Sequence, residues 1–297
     1  MSQPVLVSVL MTAYNRQAFI AEAIESVLAS TYPHFELIIV DDGSRDDTVS
    51  IAQSYAAKDN RIKVYINEQN LGDYRNRNKA ASYANGTYIK YVDSDDLIMP
   101  WGLEVMVYGM ERFPEAALGI SSNQNENILY PHLLSPVDAY RAYYYKNHVL
   151  SVGPTAAIIR RDVFERIGGF SGENYIGDTQ LWFRLAQSAP VVYLPPGLVY
   201  WREHDDQQIA EERKNVLIEL KRYELDCLTL NDNATPLPPS ERSIILQNLR
   251  NIKTRNAIKD FISGDFRKAL NKVIQFRLNY FDLIHSLKKN KVVQYLF

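Results

Sequence analysis

The chain of 297 residues contains a single cysteine, Cys227. One thiol excludes an intramolecular disulfide framework and suits a reducing compartment. Long hydrophobic runs are also missing, since nothing approaches the roughly 20 apolar residues that span a bilayer. Met1–Met11 has no basic leading segment, and its apolar part, Val5–Met11, is only as long as a strand. No secretory signal is expected. Neither sign of charge dominates: 33 Lys+Arg face 35 Asp+Glu, a net −2. No nucleic-acid motif is present and residues 1–210 are acidic, which argues against nucleic acid as a partner. Glycine is absent from Thr12–Gln17, which follows the first apolar run and holds one Arg. The G-x-G-x-x-G of a dinucleotide oxidoreductase is therefore missing. So is the Gly-rich basic loop expected of a sugar nucleotidyltransferase.

What is present is a globular composition, 46% hydrophobic and 23% charged, long enough for one large domain with an appendage or for two domains. Charge is unevenly spread. Residues 1–210 hold 17 basic and 25 acidic side chains, residues 211–297 hold 16 and 10, and residues 250–297 hold 11 and 3. An acidic body with a basic tail points to different partners for the two parts, or to a tail that is simply solvated.

Through the first 125 residues, short β-rich runs alternate with helical spacing. Strands are expected at Val5–Met11, Glu36–Asp41, Arg61–Ile66 and Thr87–Val92, and helices at Ala18–Ser30, Asp46–Ala57 and Tyr74–Ala84. Asp46 or Asp47 is a candidate N-cap. This alternation predicts an α/β fold with a largely parallel sheet. Beyond it, the pattern predicts a helix at Pro100–Phe113, a strand at Ala116–Ser122, an irregular stretch at Asn123–Pro136 and a strand at Pro154–Arg160. A short helix at Asp162–Ile167, a helix at Asp178–Gln187 and a strand at Val191–Leu194 follow. From Gln207 the spacing is helical, interrupted by the linker Asn231–Pro239.

The run Asp93-Ser94-Asp95-Asp96 ends the fourth expected strand. Three crowded carboxylates call for a counter-charge, and a divalent cation is the usual one. Mg²⁺ typically takes one or two carboxylates and keeps positions for phosphate oxygens. A metal–diphosphate site at the carboxyl edge of the sheet is the functional reading, and a solvated acidic loop the plain one. Four further segments accompany it: Thr12-Ala13-Tyr14-Asn15, Asp41-Asp42-Gly43-Ser44, Asn70-Leu71-Gly72 with Arg77-Asn78, and Gly177-Asp178 with Leu181-Trp182. Four of these five segments fall where open α/β sheets bind ligands, at the carboxyl ends of strands.

This order, with Gly168-Gly169-Phe170 before Asp178 and Arg202-Glu203-His204 after it, closely resembles glycosyltransferase family 2, the inverting, nucleotide-sugar-dependent enzymes of the GT-A fold. The resemblance covers about Leu6 to Gln207. It implies a Rossmann-like mixed sheet flanked by helices over residues 1–210, with a nucleotide-binding half to about residue 100 and an acceptor half beyond. Residues 211–297 would form a C-terminal helical extension. It also implies a cytoplasmic, metal-dependent (Mn²⁺ or Mg²⁺) transfer of sugar from a nucleoside diphosphate donor, most simply a UDP-sugar. The acceptor would be a hydroxyl on a bacterial polysaccharide, glycoconjugate or lipid-linked glycan.

Joined to local chemistry, the resemblance assigns roles. Thr12, Ala13, Tyr14, Asn15 and Asp42 face the base and ribose, although Asp41–Ser44 would also suit a plain turn. Gly72 lets the backbone approach the ligand. Arg77 faces the diphosphate or pairs with the acidic cluster. Asp95 coordinates the metal, Asp93 and Ser94 assist at metal or ribose, and Asp96 supports them from behind. Asp178 is the general base or a helix N-cap. His204 completes the metal shell and Arg202 clasps phosphate. Trp182 and Trp201 stack on sugar or pack, and the crowd Tyr140–Tyr145 lines an acceptor groove or packs. Two departures from the family pattern stand out: Tyr74-Arg75 where small residues are common, and Gly177 where Glu is common.

The tail falls outside the resemblance. Ile244, Ile245, Leu249, Ile252 and Ala269, Leu270, Val273, Ile274 recur near helical spacing among Lys and Arg. Such helices lie on an anionic membrane face, dock on the catalytic domain or pair two subunits. A nucleotidyltransferase and a catalytically silent glycan-binding or scaffolding protein remain the alternatives.

Overall fold

The computed structural model describes residues 4–122, 128–173, 175–203, 216–278 and 282. The chain divides into two compact units, Met1–His204 and Asp205–Phe297.

The first unit opens with alternating strands and helices. These are β1 (Val7–Ala13), α1 (Ile20–Leu28), β2 (Phe35–Asp41), α2 (Thr48–Ala56), β3 (Ile62–Ile66), α3 (Asp73–Ala81) and β4 (Tyr88–Tyr91). Then come β5 (Leu97–Ile98), α4 (Gly102–Arg112), β6 (Leu118–Ser121), β7 (His132–Leu134), α5 (Pro136–Ala142) and β8 (Ala157–Arg160). The unit closes with α6 (Arg161–Arg166), α7 (Gly177–Ser188), β9 (Val191–Leu194) and β10 (Val199–Tyr200). Eight strands form one sheet in the order β3-β2-β1-β4-β8-β6-β9-β7. The first four are parallel. The strand β8 runs antiparallel to both neighbours, and β7 antiparallel to β9, so the sheet is mixed as expected. β5 and β10 form a separate two-stranded ribbon.

The physical cause is visible in the sequence. All seven residues of β2, Phe-Glu-Leu-Ile-Ile-Val-Asp, are buried, as a parallel strand covered on both faces requires. In α1 the residues Ile20, Ala23, Ile24 and Val27 are buried, a single helical stripe laid on the sheet. The one carboxylate in the body of β2, Glu36, is matched inside: Ser8 Oγ donates to it at 2.8 Å and the Asn85 backbone N–H at 2.8 Å. Lys63 Nζ closes the group at 2.9 Å.

Two expectations are corrected here. β1 runs to Ala13 rather than stopping at Met11, because Thr12 and Ala13 stay in register with Val40 and Asp41. The stretch expected to be irregular contains the edge strand β7 and the start of α5. Three residues are too few for an alternating pattern to show. The start of α5 has a local cause that the sequence reading passed over: the Ser135 side chain accepts from the Asp138 N–H and Pro136 sits in the first turn. Asn123–Asn127 lie outside the described residues.

The second unit contains α8 (Val216–Asn231), α9 (Pro239–Ile262) and α10 (Phe266–Gln275). The expected linker at Asn231–Pro239 is the joint between α8 and α9. Ala257, Phe276 and Leu278 form a small core with Leu220, Tyr223 and Val273 against it. Among the described residues no helix is long and apolar enough to cross a membrane.

Candidate active site

The parallel strands deliver four loops to one edge of the sheet, and the loops are laced together by side chains. After β1, Asn15 takes a left-handed backbone (φ 53°), its N–H donates to Ser44 Oγ at 2.8 Å, and its Oδ1 accepts from the Arg45 N–H at 2.9 Å. The Arg16 N–H reaches Thr48 Oγ1 at 2.7 Å. Thus the loop after β1 is held by the loop after β2. Tyr14 stands exposed at its tip.

Asp41 and Asp42 end β2 and are both buried. Asp41 accepts from the Gly43 and Ser44 N–H groups at 3.0 and 2.8 Å, forming the turn. Asp42 accepts from Asn67 Nδ2 at 2.8 Å, the Leu71 N–H at 2.8 Å and the Gly72 N–H at 3.0 Å. It therefore straps the third loop to the second. Gly72 has φ 82° and ψ 161°, and a Cβ there would meet nothing within 4 Å. Backbone conformation, not crowding, calls for glycine at this position.

The acidic loop alternates. Asp93 and Asp95 are partly exposed, whereas Ser94 and Asp96 are buried. Arg77 Nη1 lies 2.5 Å from Asp93 Oδ1 and its Nε 2.8 Å from Asp73 Oδ1. Arg16 Nε lies 3.1 Å from Asp95 Oδ2. Beneath the loop, the fully buried Lys90 donates from Nζ to the Thr155 carbonyl. The Asp93 N–H donates to Thr155 Oγ1 at 3.1 Å. Burial pulls the Lys90 ammonium down to about 7, opposed by Asp93 and Asp96. Burial and the neighbouring Asp93 push Asp96 up to about 8. Asp96 is thus packed away beneath the loop.

α3 carries this constellation to Asp178. Arg77 holds Asp93 from one turn of the helix. Asn78 clamps the next segment, its Nδ2 donating to the Phe170 carbonyl at 2.8 Å and its Oδ1 accepting from the Phe170 N–H at 3.0 Å. Tyr74 stacks on the Phe170 ring, with centroids 5.1 Å apart. Asp178 sits in the first turn of α7, and its Oδ1 accepts from the Thr179 N–H at 2.7 Å. The cap residue of α7 is Ile176, with no side-chain cap hydrogen bond, so Asp178 is the second helical residue and not the N-cap. Its carboxylate still lies at a helix N-terminus, where negative charge is favoured.

Arg202 closes over the acidic loop. Its N–H reaches Asp96 Oδ1 at 3.2 Å, its Nε the Asp95 carbonyl at 3.1 Å and its Nη2 Glu22 Oε2 at 2.5 Å. His204 lies outside the described residues. Trp182 is fully buried, with Nε1 donating to the Val152 carbonyl at 2.8 Å, which makes it core; Trp201 is half exposed. In the tyrosine crowd, Tyr140 is buried and donates to the Phe183 carbonyl, and Tyr143 and Tyr144 pack on the Phe183 ring.

Sequence reasoning gave no role to Arg16, Asp73, Lys90 or Thr155. Lys90 did carry a signal, being the only charge in Tyr-Ile-Lys-Tyr-Val. Thr155 carried none, because β8 brings it to the loop from 59 residues past Asp96. The donor set fits a hard cation: two carboxylates on one exposed loop, the oxygen ligands that Mg²⁺ or Mn²⁺ takes beside phosphate. Among the described residues no group of three or more His, Cys, Asp or Glu is placed to hold a metal ion. The donor set is thus two carboxylates of one loop, not a closed protein cage.

Comparison with known proteins agrees with this geometry. An uncharacterized glycosyltransferase of Haemophilus influenzae is 24% identical over 319 residues, covering 95% of this chain and 94% of that protein. Residues 1–349 of S. aureus TarS in complex with UDP-GlcNAc share the fold (TM-score 0.65, 20% identity, 82% of this chain and 71% of that one). So does the mannosyltransferase PcManGT from Pyrobaculum calidifontis in complex with GDP-Man and Mn²⁺ (TM-score 0.64, 16% identity, 99% and 89%). These likenesses give the GT-A arrangement of sheet and helices. The family model described as glycosyl transferase family 2 matches residues 8–168, more than half of the chain. The chain belongs to glycosyltransferase family 2 and is a glycosyltransferase.

Proposed function

We propose that this enzyme moves a sugar from a UDP-sugar to an acceptor hydroxyl with inversion, aided by Mn²⁺ or Mg²⁺. The observation that carries the reading is the alternation of the acidic loop. Asp93 and Asp95 stay partly exposed beside Arg77, Arg16 and Arg202, while Ser94 and Asp96 are packed away. UDP-GlcNAc on TarS and GDP-Man with Mn²⁺ on PcManGT, two chains of the same fold, support it.

In this reading Thr12–Asn15 meet the base and ribose. Asp42 fixes the Leu71–Gly72 backbone against which the nucleotide lies, and Ser94 packs beneath the ribose. Asp95 and Asp93 would hold the cation, with His204 as a further ligand, and Arg77 and Arg202 would receive the diphosphate. A bound divalent cation would offset the charge growing on the departing nucleoside diphosphate. The Asp178 carboxylate takes the acceptor proton as the hydroxyl oxygen bonds to the anomeric carbon. The bond from that carbon to the phosphate oxygen breaks on the opposite face, and its electron pair leaves with the diphosphate.

The acceptor is proposed to be lipid-linked. In the second unit Phe266, Leu270 and Ile274 lie exposed along α10, with Phe261 and Ile262 at the end of α9 and exposed Lys259, Arg267 and Lys268 beside them. Apolar side chains flanked by cations suit an anionic bilayer. Flotation with phosphatidylglycerol vesicles and not with phosphatidylcholine is expected. A salt-resistant dimer that ignores both vesicles would overturn this part.

The enzymatic test is a panel of nucleoside diphosphate sugars assayed for nucleotide release with Mn²⁺ and with chelator. Turnover of a UDP-sugar, abolished by chelator and by Asp95→Ala, is expected. Turnover indifferent to both would contradict the reading.

A further inference from the structure

The two departures from the family pattern meet each other in space. A Cβ built on Gly177 would stand 2.6 Å from Tyr74 Cε2 and 2.8 Å from its Cδ2 and Cζ, closer than any real side chain comes. Gly177 has an ordinary negative φ, so space and not backbone freedom demands glycine there. The ring cannot swing aside cheaply. Tyr74 is only 7% exposed, is stacked on Phe170, and Phe170 is itself packed edge-on against Tyr91, Phe164 and Trp182. The ring therefore fills the volume that a side chain at 177 would need. Beyond the ring, the Asp178 N–H points at the Tyr74 hydroxyl, 3.4 Å away. Asn78, one turn along the same face of α3, pins the Phe170 backbone from both sides.

We propose that Tyr74 is a positioning residue for Asp178: its ring is the wall against which the first turn of α7 seats, and Gly177 is glycine so that this wall can stand there. The proposal deepens the catalytic reading above and rests on Asp178 being the base. It explains how the chain places one carboxylate with no second acid before it. The seat comes from α3, the helix that also holds Asp93 through Arg77, so both ends of the reaction are referred to one rigid element. A base displaced by about 1 Å costs on the order of a hundredfold in rate.

The experiment is a double-mutant cycle read by thermal melting and by steady-state kinetics, using whichever nucleoside diphosphate sugar of the panel the wild-type enzyme turns over with Mn²⁺. Tyr74→Ala is expected to lower kcat about 10- to 100-fold while donor KM stays within about twofold, the pattern of a group that acts on the transition state alone. Tyr74→Phe keeps the wall and is expected to stay within about threefold of wild-type kcat. Gly177→Ala is expected to lower both Tm and kcat in the wild type. In the Tyr74→Ala background the same change should leave Tm unmoved and kcat low, because the clash is gone and the seat is still missing. Should Tyr74→Ala fail to fold, Tyr74→Leu takes its place in the cycle. Wild-type kcat in the Tyr74 variant, or an equal cost of Gly177→Ala in both backgrounds, would overturn the proposal. A wild-type enzyme inert toward every donor, or a fully active Asp178→Asn enzyme, would instead overturn the catalytic reading, and the melting cycle would still decide whether residues 74 and 177 are coupled.

Discussion

Arg16 Nε stands 3.1 Å from Asp95 Oδ2 across the gap between the first and fourth loops. The carboxylate assigned to the cation thus already carries a protein counter-charge. Both side chains are largely but not fully buried (26% and 15% exposed), so solvent screens the pair and its worth is about 0.2–1 kcal/mol. Arg16→Ala is therefore expected to tighten the binding of Mn²⁺ alone by roughly two- to fivefold, measured by calorimetry. Weaker binding in the variant would show that Arg16 supports the cation site and does not compete for it.

Asp178→Asn keeps an oxygen that can accept the Thr179 N–H, so the start of α7 is preserved. Only the ability to take a proton is lost. Transfer is expected to fall by about 10² to 10⁴, with the melting temperature unchanged. A variant with full kcat would remove Asp178 from the mechanism.

Gly72 occupies a backbone region (φ 82°, ψ 161°) that is nearly closed to other residues. Gly72→Ala should destabilise the fold by about 1–3 kcal/mol, seen as a lower denaturant midpoint. It should also weaken nucleotide binding, because the Gly72 N–H would leave Asp42. An unchanged midpoint would show that the loop relaxes without cost.

These residues show how far sequence reasoning reaches. The positions of Gly72, Asp93 and Asp95 at one edge of the sheet were legible because each follows a strand in chain order, and Arg77 was legible as part of the helix that comes next. The parallel half of the sheet was legible because strands and helices alternate in chain order and β2 is a strand buried along its whole length. The missing parts were non-local. Lys90 and Thr155 meet only because β8 inserts antiparallel beside β4, and no spacing in the chain announces that pairing. Tyr74 and Gly177 each read as an oddity, and only the fold shows that one is the reason for the other. The strand β7 was too short for its alternation to rise above the surrounding polar stretch.

The buried group at Glu36 sets an acid limit on stability. Burial alone would raise this carboxyl, but Lys63, the Asn85 backbone and side chain, and Ser8 together hold it below its ordinary 4.5. A depressed folded value means that the unfolded chain binds the proton more tightly. The stabilisation is then fully present above about pH 4.5 and is lost as pH falls through the lower folded value. Glu36→Gln should cost about 1–3 kcal/mol at neutral pH and flatten the acid limb of a urea-melting series. An acid limb of equal steepness in the variant would assign the limit to other carboxylates.

The central claim is that the loop from Asp93 to Asp96 captures a divalent cation together with a nucleoside diphosphate. Anomalous diffraction at the manganese edge, from crystals grown with UDP and Mn²⁺, tests it most directly. The account predicts one manganese peak within about 2.3 Å of an Asp95 oxygen, bridged to the diphosphate. A bound UDP with no manganese at Asp93 or Asp95 would contradict it.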